Sequence, residues 1–250
     1  MKTSQTVYEA SRNPYPTWLK YADERDHLEK WLRTNINELC PVQQSTVLDI
    51  GCGLGEATAR VIKILDEKKK NYTIAAIEPV PSQVRHCVER FSNDSRVSVA
   101  QSTLEDYQGK TVDLAVAVHM LYYVPNLANA VSKICSLGKK SLIVHHGERG
   151  INTVHQAFPE LVKKGAHIIS TYHDVEKEME KMERKYRAEC LESRVDIRPA
   201  HDANNPEGRD LIRFFLEQPQ VSESTYRRVS NFLKKQGNYL VHDVGLIVCD

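Results

Sequence analysis

The chain is predicted to fold as a doubly wound α/β sheet, and three observations carry that reading. Short apolar or β-branched runs alternate with stretches of helical periodicity from Thr46 to His145. The first run, Thr46 to Ile50, breaks into glycines at alternate positions, Gly51, Gly53 and Gly55, and a helical pattern then begins. The second run, Thr73 to Ile77, is followed directly by an acid, Glu78. A strand that turns through glycines into a helix, followed by a strand tipped with a carboxylate, is the opening of a Rossmann-like sheet. The full expectation is seven strands, mostly parallel with an antiparallel edge, plus an N-terminal helix and C-terminal helical insertions.

Taken in order, residues 1–14 are polar, and Asn13-Pro14 and Tyr15-Pro16 are turn signals. From Thr17 the spacing of Trp18, Leu19, Tyr21, Ala22, Leu28, Trp31, Leu32 and Leu39 predicts an amphipathic helix or helix pair. The first strand is followed by a helix over about 55–69. The second strand leads to a helix from Pro81, a residue suited to a first helical turn. A third strand, Val97 to Ala100, runs into the polar loop Gln101 to Tyr107. Thr111 to Val118 reads as a buried fourth strand, a helix covers about 126–136, and Ser141 to His145 is the fifth strand. Beyond Gly147, helices are expected over 151–164 and 174–185, then a strand near 187–197 and a polar loop over 198–208. Helices near 208–217 and 222–236 precede a last strand, Tyr239 to Cys249, and the last two strands form a hairpin-like edge. No repeat or low-complexity linker divides the chain. It reads as one domain over 1–250, with 1–44 a helical lid, 45–150 a cofactor-binding core, and 151–250 the substrate-side helices and last strands.

Composition narrows the function. Of 250 residues, 41% are hydrophobic and 27% charged, ordinary values for a globular enzyme, and the net charge of +1 supplies no field for nucleic acid. Lys68-Lys69-Lys70 sits where a helix end favours cations. The six cysteines, Cys40, Cys52, Cys87, Cys135, Cys190 and Cys249, have no metal-binding spacing and read as free, mostly buried thiols of a reducing compartment. With no signal segment and no apolar run near ~20 residues, the expectation is a cytoplasmic protein that engages no membrane.

The glycine turn brings bare backbone N–H groups and a helix N-terminus to one point, a place for a nucleotide-like ligand. A dinucleotide fingerprint needs a third glycine where this chain has Glu56, and an acid there repels a pyrophosphate. A ligand with adenosine, no phosphate and a cationic sulfonium suits an acidic rim, which points to S-adenosylmethionine. Glu78 is placed to accept both ribose hydroxyl protons. Leu104, in the loop after the third strand and next to Thr103, is placed against the adenine.

With these residues assembled, the chain resembles the class I S-adenosylmethionine-dependent methyltransferases, and within them the histamine N-methyltransferase family. The generic part is Leu48-Asp-Ile-Gly-Cys-Gly-Leu-Gly-Glu56 with Glu78-Pro79. More specific are Met120-Leu-Tyr-Tyr-Val124, the Gly147-x-x-Gly150 turn and Asp196-Ile197 with the Asn/Glu/Gly loop after it. Asp210-Leu-Ile-Arg-Phe-Phe-Leu216, the closing Leu246-Ile-Val248, and the N-terminal Tyr15, Trp18, Leu19 and Glu24 complete the match. The resemblance implies cofactor contacts from Gly51, Gly53, Gly55, Glu78, Pro79, Gln83, Thr103, Leu104, Val118 and His119. It implies substrate contacts from Tyr15, Trp18, Glu24, His119, Tyr122, Tyr123 and His242. Of three polar substrate positions in that family, the Glu is kept as Glu24, the Gln is His119 here and the Asn is His242.

Methyl transfer from a sulfonium is an in-line displacement, so alignment supplies much of the rate, up to roughly 7–11 kcal/mol in well-oriented systems. A cationic amine must first lose a proton, and His119 is the expected catalytic acceptor or orienting group. Glu24 would balance a cationic substrate, and the Tyr122 and Tyr123 rings would attract it face-on. In an extended segment those two tyrosines cannot both face one pocket, which puts one in the site and one in the core. His145 and His146 point to opposite faces of a strand, so no metal is expected. The leading expectation is methylation of a small-molecule amine or imidazole nitrogen, with the oligomeric state left open and a monomer slightly favoured. The rivals are another acceptor class (a metabolite carboxylate or hydroxyl, or a protein side chain) and a cofactor-binding module without transfer activity.

Overall fold

A computed structural model of the chain describes residues 13–162 and 170–250. The N-terminal periodicity resolves into two helices, α1 (Tyr15–Tyr21) and α2 (Glu24–Leu39), because Ala22 leaves the helical region and bridges to Val195. β1 (Gln44–Ile50), α3 (Glu56–Glu67), β2 (Asn71–Glu78), α4 (Pro81–Arg90), β3 (Val97–Gln101) and β4 (Val112–Val118) then alternate as expected. A 3₁₀ turn (Leu121–Tyr123) leads to α5 (Leu127–Leu137), whose first turn is capped by Asn126 accepting from the Asn129 N–H at 2.9 Å. β5 (Gly138–His146) follows without a loop, so it begins earlier than its apolar run does.

In the C-terminal half, α6 (Ile151–Ala157) is shorter than the expected helix over 151–164, and positions 163 and 164 lie outside the described residues. α7 (Tyr172–Lys181) starts and stops earlier than its charged pattern. Asp174 and Thr171 cap each other at its start, and Glu183 takes a φ of +52° just past its end. β6 (Tyr186–Asp196) is followed by a 3₁₀ turn (Arg198–His201) inside the stretch expected to be loop. In α8 (Pro206–Leu216) the proline occupies the first turn and Asn205 accepts from the N–H groups of Glu207 and Gly208 at 2.9 and 3.0 Å. α9 (Glu223–Lys235) is capped by Ser222, and β7 (Tyr239–Cys249) has the bounds its sequence predicts.

The strands form one seven-stranded sheet in the order β3-β2-β1-β4-β5-β7-β6, mostly parallel with an antiparallel edge. The sequence-level expectation of a Rossmann-like, doubly wound sheet therefore holds. β1 pairs with β2 on one side and β4 on the other, with Ile50 opposite both Ile77 and Ala117. From that pairing chain order runs outward through β2 and β3 on one side and through β4 and β5 on the other, which makes the carboxyl ends of β1 and β4 a topological switch point, where ligands bind in sheets of this kind.

The chain divides into two compact units. The first comprises residues 28–145, 170–190 and 245–250, and its core includes Leu48, Ile50, Ile77, Ala115, Val131, Ile134, Ile143 and Met179. The described residues of the second are 13–27, 146–162 and 191–244, and its core includes Trp18, Val154, Phe158, Ile197, Leu211, Phe215, Val229 and Leu233. Among the described residues, no helix is long and apolar enough to cross a membrane.

Candidate active site

In the first unit the carboxyl end of β1 meets a turn that only glycine can make. Gly51, Gly53 and Gly55 have φ of +72°, +54° and +77°. The turn is tied to the neighbouring strand, since the N–H groups of Gly51 and Cys52 both donate to the Ile77 carbonyl at 2.8 and 3.1 Å. Beneath it lies one ridge of α4. A side chain added at Gly53 would stand 3.2 Å from Gln83 Oε1, and one at Gly55 would press on the Phe91 ring at 2.6 Å and Cys87 Sγ at 3.1 Å. Gln83, Cys87 and the C-cap residue Phe91 are four residues apart in turn, so one helical stripe braces Gly53 and Gly55, while a side chain at Gly51 would stand 2.7 Å from the Met120 β-carbon. Arg90 adds a bond to the Leu54 carbonyl at 3.1 Å and an ion pair to Glu56. The result is a shallow backbone cradle ending at the N-terminus of α3.

Glu78, at the tip of β2, is buried beside this cradle. Its Oε2 accepts from the Gly53 N–H at 3.0 Å and its Oε1 from the Val80 N–H at 2.9 Å. Two backbone donors thus fix the carboxylate plane and leave a lone pair on each oxygen. Burial pushes the carboxyl above the usual carboxylate range, and the Val80 and Gly53 N–H groups oppose that shift. Deeper in β1, Asp49 accepts from the Thr58 hydroxyl of α3. Burial raises the Asp49 carboxyl to about 6, the Thr58 bond pulling the other way. An acid inside an apolar strand was the sequence signal for this residue, and it pointed to no role because its partner is set only by the path of α3.

The remaining first-unit positions differ in character. Leu104 is buried in the core with Ile50 and Ile77. Thr103 bonds its own loop, with its hydroxyl to Asp106 Oδ2 at 2.8 Å. Pro79 is exposed and Gln83 buried, while Val118 is half-buried at the end of β4 opposite Val144. His119, half-buried, has a φ of +52° and donates its N–H to the Val144 carbonyl at 2.9 Å. Histidine is among the few non-glycine types enriched in that conformation, and here it ends β4 and starts the 3₁₀ turn. The tyrosine pair lies in that turn and not in an extended segment. Tyr122 is buried and stacks on His145 at 5.8 Å, Tyr123 is exposed, and the two rings meet edge-on at 4.5 Å. His145 also bonds the Ser170 hydroxyl at 2.8 Å.

In the second unit the structure brings together Glu24, His242 and Trp18. Glu24, which helix position alone would leave as a solvated charge, is 5% exposed, and His242 is fully buried. His242 Nε2 bonds Glu24 Oε2 at 3.1 Å. Trp18 meets the His242 ring edge-on at 5.3 Å, and the His146 ring lies 5.4 Å from it. Gly150, with a φ of +87°, packs its α-carbon against His242 where any side chain would collide. Tyr15 and Trp18 both stack on Phe214, at 6.0 and 4.8 Å, so both take part in aromatic packing of the core. Among the described residues no three His, Cys, Asp or Glu side chains are grouped to hold a metal.

Comparison with known proteins adds the family. No curated protein sequence is matched significantly. Among solved structures the chain is similar to a mycolic acid cyclopropane synthase complexed with S-adenosylhomocysteine, at 14% identity and a TM-score of 0.61, covering 97% of this chain and 95% of that one. It is also similar to Haemonchus contortus phosphoethanolamine N-methyltransferase 2, at 15% identity and a TM-score of 0.56, covering 88% of this chain and 52% of that one. A coclaurine N-methyltransferase bound to N-methylheliamine matches at 16% identity and a TM-score of 0.51, over 88% and 71% of the two chains. At such identities these likenesses establish the fold. The methyltransferase-domain family matches residues 21–202, which is well over half of the sequence and takes in the whole glycine turn and Glu78, and the chain belongs to that family.

Proposed function

We propose that this methyltransferase uses S-adenosylmethionine and methylates a small-molecule acceptor at an amine or imidazole nitrogen. The observation that carries the cofactor reading is the cradle at Gly51–Gly55 beside a carboxylate clamped by the N–H groups of Gly53 and Val80. Three glycines in five residues let the backbone approach an adenosine closely, and the two remaining Glu78 lone pairs suit the two ribose hydroxyls. Glu78 gives the cradle an acidic edge, which favours a sulfonium over a pyrophosphate, whereas the charge of Glu56 is offset by its ion pairs with Arg60 and Arg90, against the expectation that this residue repels a pyrophosphate. The solved structures named above with S-adenosylhomocysteine or as N-methyltransferases support the same reading. When bound, the donor supplies a methyl group on a positively charged sulfur. Gly51, Gly53, Gly55, Glu78, Pro79, Gln83, Thr103, Leu104 and Val118 are assigned to holding it, with His119 next to them.

The acceptor reading draws on His119, whose imidazole at the carboxyl end of β4 can accept the proton an ammonium acceptor must lose. Tyr122 and Tyr123 flank it in the same turn, and the exposed Tyr123 ring offers a face to a cation. In the second unit, recognition is assigned to Glu24 and His242, with Tyr15 and Trp18 as aromatic neighbours. A buried carboxylate bonded to an imidazole is a polar device set in an apolar core, and it suits a cationic or imidazole-bearing partner better than an apolar one.

The test is methyl transfer with a panel of small amines and imidazoles beside carboxylate and hydroxyl metabolites, read by product mass. A 14-Da gain on a nitrogen acceptor is expected (about one CH₂ per turnover, with the proton lost to base). Methylation confined to oxygen acceptors would overturn the acceptor class. Donor binding without S-adenosylhomocysteine release on any acceptor would overturn the enzyme reading. His119→Ala should lower turnover more than donor affinity, and equal losses in both would remove it from the acceptor side.

A further inference from the structure

Beneath the glycine turn lie two thiols that methyl transfer does not use. Cys52 stands between Gly51 and Gly53, and its Sγ is 3.6 Å from Cys87 Sγ on α4, both side chains being buried with Ala76, Phe91 and Val99. Cys87 belongs to the ridge that braces the turn, and its sulfur lies 3.1 Å from where a Gly55 side chain would begin. From this juxtaposition we propose that Cys52 and Cys87 form a reversible disulfide that switches off donor binding. The inference rests on the assignment of the glycine turn to the donor.

The chemistry needs a two-electron oxidant, for which hydrogen peroxide serves. The two thiols are in hydrogen-bond contact, and the contact with Cys52, together with Arg90, favours the Cys87 thiolate against burial and the Asp49 and Glu78 charges. The Cys87 thiolate attacks peroxide and becomes a sulfenic acid, releasing hydroxide. The Cys52 sulfur then attacks the Cys87 sulfur, forming the S–S bond and expelling the sulfenic oxygen. In sum, two thiols and one peroxide give one disulfide and two waters. The sulfurs must close from 3.6 Å to about 2.05 Å. That closure shifts the backbone at Cys52 and, with it, the adjoining Gly53, whose N–H holds Glu78 Oε2 at 3.0 Å. The cradle and its carboxylate then no longer share one geometry.

The experiment uses the full chain, reduced or treated with peroxide, with donor affinity measured by calorimetry using S-adenosylhomocysteine and the cross-link mapped by peptide mass. The expected result is a Cys52–Cys87 peptide lighter by two hydrogens and at least a tenfold loss of affinity, both reversed by dithiothreitol. Cys87→Ala and Cys87→Ser should each show the same affinity before and after peroxide, whatever that affinity is. These variants keep the neighbouring buried thiols Cys135 and Cys249 (Sγ–Sγ 2.8 Å), so a loss that persists in them belongs to other sulfurs and overturns the proposal. Absence of the Cys52–Cys87 cross-link, or a cross-link that leaves affinity unchanged, also overturns it. Should the reduced wild-type protein bind no S-adenosylhomocysteine, the donor assignment is what fails.

Discussion

The two units place their polar groups by different means. In the first, everything around the cradle is local in sequence or one strand away. Gly51 to Gly55, Glu78 and the α4 ridge all lie within residues 51–91, and the parallel register of β1 with β2 sets Glu78 beside Gly53. In the second, the buried pair Glu24–His242 joins positions 218 residues apart, from the start of α2 and the middle of β7. A donor cradle is thus a property of one supersecondary unit, whereas the second unit's polar centre is a property of the finished fold. The first should respond to backbone changes, and the second to deletion of partners.

The largest effect expected is at the cradle. Gly53→Val puts a β-branched residue at a φ of +54°, a conformation such residues almost never adopt, with its β-carbon 3.2 Å from Gln83. Donor binding should fall below calorimetric detection while circular dichroism keeps the α/β signature. Retained affinity would mean that the turn does not face the donor.

Next in size is a pH effect that belongs to the first unit alone. Asp49 is raised to about 6 by burial, against about 3.9 in an unfolded chain. Between those values the folded protein holds a proton that the unfolded chain has lost, so stability falls as pH rises from about 4 to about 6 and is level above that. Asp49→Asn removes this titration. Relative to wild type it should gain up to about 3 kcal/mol across the window, read from denaturant midpoints at pH 4 and 7. A difference that does not change with pH would contradict the burial argument.

The second unit is tested by a double-mutant cycle on Glu24→Ala and His242→Ala. Coupling of about 1–3 kcal/mol in folding stability is expected for a buried charged hydrogen bond, and Glu24→Gln alone should cost less than Glu24→Ala because the amide oxygen can still accept. Additive effects would show that the two groups act independently. The smallest effect expected is at an exposed ion pair on α7. Lys181→Ala removes a 2.7 Å contact with Glu178 from a side chain 68% exposed, and stability should move by less than about 0.5 kcal/mol.

These contrasts follow what was legible in the sequence. β1, the glycine turn, α4 and β7 were readable because apolar runs, glycines at alternate positions and a proline at N1 are local signals. Boundaries shifted where a cap or a chain reversal decides them, as in α7, where Thr171 and Asp174 start the helix earlier than its charged face implies. The 3₁₀ turn that carries the tyrosine pair follows from how the chain leaves β4, which no local apolar pattern specifies. Cys87 carried no signal as a cysteine, yet its place between Gln83 and Phe91 at intervals of four marks the ridge under the turn. Glu24 and His242 each stood out through a resemblance to a known family. Their bond to each other depends on where β7 runs, which no local pattern specifies.

The central claim is that the cradle beside Glu78 holds an adenosine bearing an activated methyl. The most direct measurement is calorimetric titration of the wild-type protein and Glu78→Ala with S-adenosylhomocysteine. Saturable one-to-one binding is predicted for the wild type, weakened by roughly 1–3 kcal/mol in the variant through loss of charge-assisted ribose bonds. Absence of heat and of any thermal shift with the wild-type protein would contradict it, as would an affinity that Glu78→Ala leaves unchanged.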